Sequence, residues 1–400
     1  IGGDAAAVGG RGYNYTSRRG ALNLNQLLNW SHEFGEHNFN VLLGHETKND
    51  KYKYLEGHMT NFADPTNPDF SNASQYQGLT SYTAEYALEG YFGKLEYDYA
   101  DKYYLTASYR RDGSSRFHAD NRWGSFWAVG ASWRAKEESF LKDVEWLDNL
   151  KVKASYGTQG NDNVGYYHNY SDLYSVERVD GQPAFTKVLR GNKDLTWEKS
   201  NNFNAGFELG LWNWLDFNVD FFIKETKDML YYSPLPPSQG SPSGIYRNEM
   251  DMKNTGIEFE LNFDILKKQD LQWTVSVVGS HYANKILTLP EENKELGITS
   301  GLFNLREGKS RYEYYTYKYA GMGDKGQPSW YMDEVDEEGN PTGNIITTED
   351  YTKATKYFLG KEALPDFNGG LNMNFYWKGI DISIATAFQI GGWAYDYSFL

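Results

Sequence analysis

Two carboxylates are the first residues of this sequence that invite a chemical reading. Glu258 and Glu260 alternate with Ile257, Phe259 and Leu261. On an extended chain that spacing sets both acids on one face, roughly 7 Å apart at the strand rise. A separation of about 6.5–9.5 Å suits an inverting glycosidase, with one acid and one base around a water. Any strand with a polar face also supplies such neighbours, so a polar wall is the simpler account. His32-Glu33-Phe34-Gly35-Glu36-His37 has the letters of a zinc-protease helix but reads H-E-x-x-x-H. The two imidazoles would not share a helix face as i and i+4 require, and Gly35 reads as a hairpin turn. Gly9-Gly10-Arg11-Gly12 lacks the strand before it and the helix after it that a nucleotide loop needs. Asp333, Glu334, Asp336, Glu337 and Glu338 offer oxygen ligands to a hard cation, but they match no EF-hand spacing and read as a solvated loop. None of these patterns demands a metal or a cofactor. One cluster points to binding instead: Tyr312, Tyr314, Tyr315, Tyr317, Trp330 and Tyr331. Aromatic faces stack on sugar rings and close on peptides alike. These six are the candidate substrate contacts, with self-packing of their loop as the competing account.

Such residues need elements to hold them, and the clearest lie between Tyr91 and Asp112. Tyr91, Gly93, Leu95, Tyr97 and Tyr99 alternate with Lys94, Glu96 and Asp98. After Ala100-Asp101-Lys102 the alternation restarts with Tyr103, Leu105, Ala107 and Tyr109. This is a hairpin of long strands, each with the roughly 9–11 residues that cross a bilayer at a tilt. One side is apolar and aromatic, the other charged, as in a transmembrane β-barrel. The pattern recurs in 21–31, 38–46, 123–133, 150–156, 203–209, 215–223, 257–263, 271–282, 367–376 and 380–389. About twelve strands result, joined by connections read as alternately short and long.

Residues 1–20 and 47–84 read as irregular loops, 136–146 as a short helical turn, and 158–199 as another loop. A further loop carries Pro234, Pro236 and Pro237. The stretch 283–365 is a loop far above the usual connection length, placed outside the cell. Short turns then lie at one end and long loops at the other. Tyr97, Tyr99, Tyr103, Trp133, Trp212, Trp214, Trp273, Tyr376 and Trp377 beside the short turns read as an interfacial girdle. The fold class is all-β: one transmembrane antiparallel barrel domain over 1–400, with its flanking strands lying outside this sequence.

Composition agrees. Aromatics make up 17% of 400 residues, with 33 Tyr and 12 Trp. Mean hydropathy is −0.69, because a two-residue alternation averages to polar in any window. No apolar run reaches the 18 or so residues of a spanning helix. The net charge of −15 argues against nucleic acid as a partner. Cysteine is absent, which removes disulfides and thiolate metal sites and suits an oxidising periplasm. Ile1 begins neither a signal peptide nor a methionine start, so the sequence reads as an internal fragment.

Several stretches together resemble the SusC/RagA-type TonB-dependent outer-membrane transporters. They are KYYLTASYRRDGSSRF (102–117), RWGSFWAVGASWR (122–134), YGTQGND (156–162), GNKDLTWEKSNNFNAGFELGL (191–211), KETKDML (224–230), NTGIEFEL (254–261) and FQIGGWAYD (388–396). They cover most of the chain in the family's order, with Trp127 standing where the family pattern has proline. The resemblance implies a plugged barrel of about 22 strands, a TonB box upstream, and a SusD-type surface lipoprotein as lid. It implies TonB-dependent import of oligomeric nutrients, with glycans as the first cargo class and peptides or a cobalamin-like cargo as the alternative. A glycan hydrolase using Glu258 and Glu260 is the remaining rival. Outer-membrane lipid would surround the barrel, and no covalent chemistry is expected of the chain.

Overall fold

The computed structural model describes residues 3–64, 66–165, 169–235, 238, 244–323 and 326–396. Twelve strands form one antiparallel sheet in which each strand pairs with the next in chain order. They are β1 (Arg11–Phe34), β2 (His37–Phe62), β3 (Ala73–Tyr99), β4 (Tyr103–Ser114), β5 (Trp123–Arg134) and β6 (Leu147–Asn161), followed by β7 (Glu198–Leu211), β8 (Leu215–Pro234), β9 (Gly244–Lys268), β10 (Leu271–Thr288), β11 (Phe367–Trp377) and β12 (Ile380–Ile390).

Register keeps the two faces apart across the whole sheet. One row runs Trp30, Val41, Leu95, Ala107 and Val129 through β1–β5. Another runs Val152, Phe207, Val219 and Phe259 through β6–β9. Leu22, Leu28, Trp30, Leu105, Val129 and Val152 on this face are among the exposed large hydrophobics. An exposed apolar row of this extent is a lipid-facing surface. The opposite face carries Asn40, Glu96, Thr106, Lys153, Glu208, Asp220 and Glu258. The packed cores lie elsewhere, at the long-loop end. Phe117, Phe126, Val164, Leu195 and Trp197 form one, and Met250, Ile286, Leu289 and Ile298 another.

The tight turns share one end. Ala100 and Asp101 both have positive φ (55° and 57°), and Trp212 and Asn213 repeat this (52° and 54°). Lys102 N–H bonds to the Tyr99 carbonyl at 3.0 Å and Trp214 N–H to that of Leu211 at 3.2 Å. These are mirror-image turns whose twist matches that of the flanking strands.

Several loop expectations need correction. Residues 11–20 are strand, and 47–84 is mostly strand, with β2 reaching Phe62 and β3 starting at Ala73. Within 158–199, β6 continues to Asn161 and a hairpin pairs Leu173–Val179 with Gln182–Leu189. The short helical turn expected at 136–146 is a 3₁₀ turn at Ala135–Glu137. That connection belongs to the short-turn end yet exceeds the 115–122 connection at the other, so the alternation of lengths is not strict. Within 283–365, β10 extends to Thr288, and the remainder carries a four-stranded and a three-stranded sheet. Beyond the bilayer both sheet faces meet water, so alternation fades while backbone pairing continues. Tyr376 pairs with Gln272 on the inward parity and leaves the girdle. Pro234 ends β8, while Pro236 and Pro237 lie outside the described residues.

Candidate functional site

The inward wall begins with charge. Lys153 reaches Asp220 at 3.0 Å and Glu208 at 3.5 Å, and Lys151 reaches Glu208 at 3.6 Å. Glu258 stands opposite Asp220 and Glu260 opposite Asn218. Asn262 donates to Glu260 at 2.9 Å. Both glutamates are exposed on this open wall, among residues that a polar lining would supply anyway.

Above this belt, four of the stretches quoted above converge. The Asp162 carboxylate accepts from Tyr86 Oη at 3.0 Å, Ser114 Oγ at 2.6 Å and Arg116 Nη1 at 3.1 Å. The Arg116 guanidinium also lies 4.4 Å from the Tyr86 ring centroid. Beside this hub, Phe117 and Leu195 are fully buried against Trp197 and Phe126. Trp197 Nε1 donates to the Arg122 carbonyl at 2.8 Å. A Cβ at Gly160 would run into the Phe126 ring, which accounts for that glycine in YGTQGND. The stretches thus build one mouth from the tops of β3–β7.

Above the mouth β1, β2 and β3 continue, and their inward face is aromatic. Tyr54 lies opposite Ser17 and Tyr82, and Tyr13 opposite His58. Tyr54 and Tyr82 centroids are 5.3 Å apart, Tyr15 and Tyr54 6.3 Å, and Tyr52 and Tyr54 6.4 Å. Tyr13 stacks on His58 at 4.1 Å. Tyr15 is 69% exposed and Tyr13 58%. Tyr54 Oη donates to Glu56, which pushes the phenol up to about 12. Arg19 Nε grips Asp50 at 2.8 and 3.0 Å below them. Sequence reasoning missed this wall because 47–84 reads as polar. The available signal was Tyr52 and Tyr54 at a two-residue spacing.

The six loop aromatics are not brought onto one surface. Tyr314 is buried, stacked on Phe303 at 5.1 Å, with its hydroxyl on the Trp393 carbonyl at 2.9 Å. Tyr315 packs on Phe358 at 4.9 Å. Tyr317 and Trp330 meet around Tyr351, at 4.4 and 5.2 Å. Lys318 Nζ lies 5.0 Å from the Tyr331 ring centroid and the Arg311 guanidinium 5.6 Å from that of Tyr312. The acidic run is committed locally. Glu334 accepts from Thr342 at 2.7 Å and Asn344 at 2.8 Å, and Asp336 accepts the N–H groups of Glu338 and Asn340, both at 2.9 Å. These bonds hold both carboxyls below their ordinary range. Among the described residues no group of His, Cys, Asp and Glu has metal-holding geometry. His32 and His37 flank the Gly35 turn between two strands.

Comparison with known proteins gives this geometry a context. The family model described as TonB dependent receptor-like, beta-barrel matches residues 2–398. TonB-dependent receptor P3 of Formosa agariphila is 29% identical, over 99% of this chain and 41% of that protein. TonB-dependent receptor SusC of Bacteroides thetaiotaomicron is 26% identical, over 95% and 38% respectively. A solved structure of the RagAB peptide importer in its closed-closed state superposes with a TM-score of 0.81 at 28% identity, over 95% of this chain and 42% of that one. The chain therefore spans about two fifths of the length of these relatives.

Proposed function

The chain belongs to the TonB-dependent receptor-like β-barrel family of the outer membrane, and we propose that it forms about half the wall of a nutrient importer, taking about 22 strands for the whole barrel. In this reading 1–400 is part of one barrel domain and 283–365 lies outside the cell. The observation that carries it is the division of one sheet into a lipid-facing and a charged inward surface beneath an aromatic mouth. Energy would come through TonB by way of a region outside this sequence, and a SusD-type surface lipoprotein would close over the mouth. Binding and passage need no covalent step, and the relatives are named as receptors and importers.

Oligomeric cargo is the class this mouth fits. Tyrosine rings along Tyr15, Tyr54 and Tyr82 present flat apolar faces, while Glu56 and the hydroxyls supply hydrogen bonds at their edges. That combination favours glycans, with peptides as the second class. Tyr312, Tyr315, Tyr317, Trp330 and Tyr331 keep partial exposure, dispersed over the long loop, and are the second set of candidate contacts; Tyr314 is buried and supports them through packing.

The test uses the full-length receptor in cells. Ring stacking is worth about 1–3 kcal/mol per ring in comparable sites. Tyr15→Ala with Tyr54→Ala is expected to weaken growth on the imported oligomer more than Trp330→Ala with Tyr331→Ala. Heat-modifiable gel mobility confirms that each barrel has folded. A receptor deletion that leaves growth on every tested glycan and peptide unchanged would refute import.

A further inference from the structure

The outward face changes character one row at a time toward the mouth. Above Trp30, Val41, Leu95, Ala107 and Val129 comes the row Leu28, Leu43, Gly93, Tyr109 and Trp127. The next row is Gln26, His45, Tyr91, Arg111 and Ser125, the first with polar side chains. Tyr91, Tyr109, Trp123 and Trp127 are all partly exposed here, and such a belt of rings marks a membrane interface. Height agrees. Arg111 lies eight residues along β4 from Tyr103 of the lower girdle, about 27 Å of strand. At a tilt of about 35–45° this is about 20 Å of height, within an apolar band about 25 Å tall. The guanidinium therefore reaches the headgroup layer while its stem stays on the apolar surface.

A groove of about 800 Å³ opens between these two upper rows, lined on this face by Leu28, Leu43, Tyr91, Gly93, Tyr109 and Arg111. Gly93 recesses the surface, because Leu43 and Tyr109 flank it in its row. Its φ is not positive, and the one tight contact of an added Cβ would be a Leu43 methyl at 3.3 Å. Neither backbone conformation nor packing demands this glycine. Arg111 is exposed, and among the described residues its side chain meets the Trp123 ring, 5.6 Å from the centroid, and no carboxylate. The nearby Glu89 accepts from Tyr91 Oη at 2.6 Å and lies 3.4 Å from His45 Nε2. Arg111 stands on an interior strand, with Tyr91 and Ser125 as its cross-strand neighbours. We infer that this groove seats a phosphate-bearing lipid of the outer leaflet, with an acyl chain over Gly93 and the phosphate on Arg111. The groove continues the lipid-facing rows below it, and the unmatched guanidinium at its upper end selects an anionic headgroup. The site faces away from the lumen and is independent of cargo.

The experiment measures binding of lipid A, with and without its phosphate, to the full-length detergent-purified receptor. A cation beside an anionic lipid contributes about fivefold in affinity. Arg111→Gln is expected to weaken binding of lipid A about fivefold and to leave dephosphorylated lipid A unchanged. Arg111→Lys keeps the charge and should retain the preference for the phosphorylated lipid. Gly93→Leu fills the groove and should weaken both lipids alike, while Lys378→Gln at the opposite end of the sheet changes neither. Equal affinity of the wild type for the two lipids, or unchanged affinity in Arg111→Gln, overturns the phosphate contact. Unchanged affinity in Gly93→Leu overturns the acyl seat. Inorganic phosphate binding as tightly as lipid A overturns the lipid assignment. Heat-modifiable mobility of each variant confirms its folding.

Discussion

Val219 and Asn218 are adjacent in β8 and face different media. Val219 lies between Phe207 and Phe259 in the outward row, while Asn218 lies between Glu208 and Glu260 on the inward wall. An arginine on the lipid face near the bilayer midplane costs about 2–4 kcal/mol, and inward substitutions are tolerated. Val219→Arg should therefore cut the folded yield in outer membranes sharply, and Asn218→Arg should not. Equal yields would show that the strand is registered on the wrong face. Trp127 illustrates a different constraint. Its N–H donates to Thr158 Oγ1 at 3.1 Å, and pairing of β5 with β6 begins only at Ala128. No ladder hydrogen bond from Trp127 to β6 would be lost to proline at this position.

The hairpins are asymmetric elements, with tight turns at one end and built loops at the other. The Gly35-Glu36 turn joins β1 to β2 directly. The hairpin made by Pro328–Val335 and Pro341–Thr348 turns through Asp336 and Asn340, whose backbone and side chains close the loop. A membrane between the two ends makes them chemically distinct. Glu36→Cys on intact cells should resist a membrane-impermeant thiol reagent, and Glu338→Cys should label readily. Neither substitution removes a side-chain hydrogen bond seen at these positions. Labelling at both, or protection of the second alone, would invert or abolish the assigned sidedness.

At the scale of the molecule, the mouth is one assembly made from distant stretches of sequence. Asp162 ties β3 to the 114–116 turn, and Trp197 ties β7 to the same region through Arg122. Losing hydrogen bonds to a largely buried charged group costs about 1.5–3 kcal/mol each. Trp197→Ala should cost about 3–5 kcal/mol of local packing. Both Asp162→Ala and Trp197→Ala are expected to open the 162–197 connection to external protease while the membrane sheet still folds. Wild-type resistance in both variants would mean that the mouth is held by other contacts.

The sequence alone determined the membrane sheet, because lipid on one side and water on the other impose a two-residue period that needs no distant partner. The outward parity of Leu95, Val129, Val219 and Phe259 follows from that period directly. It could not mark where strands end once both faces are wet, so the long continuations of β2 and β3 read as loop. Nor could it tell a cargo surface from a packed loop. Tyr314 turns inward onto Phe303, while Tyr15 and Tyr54 stand on an inward face that only pairing across β1, β2 and β3 creates. Residues brought together by register along distant strands carry no local signature. The hub of Asp162, Tyr86 and Arg116 was therefore settled by tertiary structure alone.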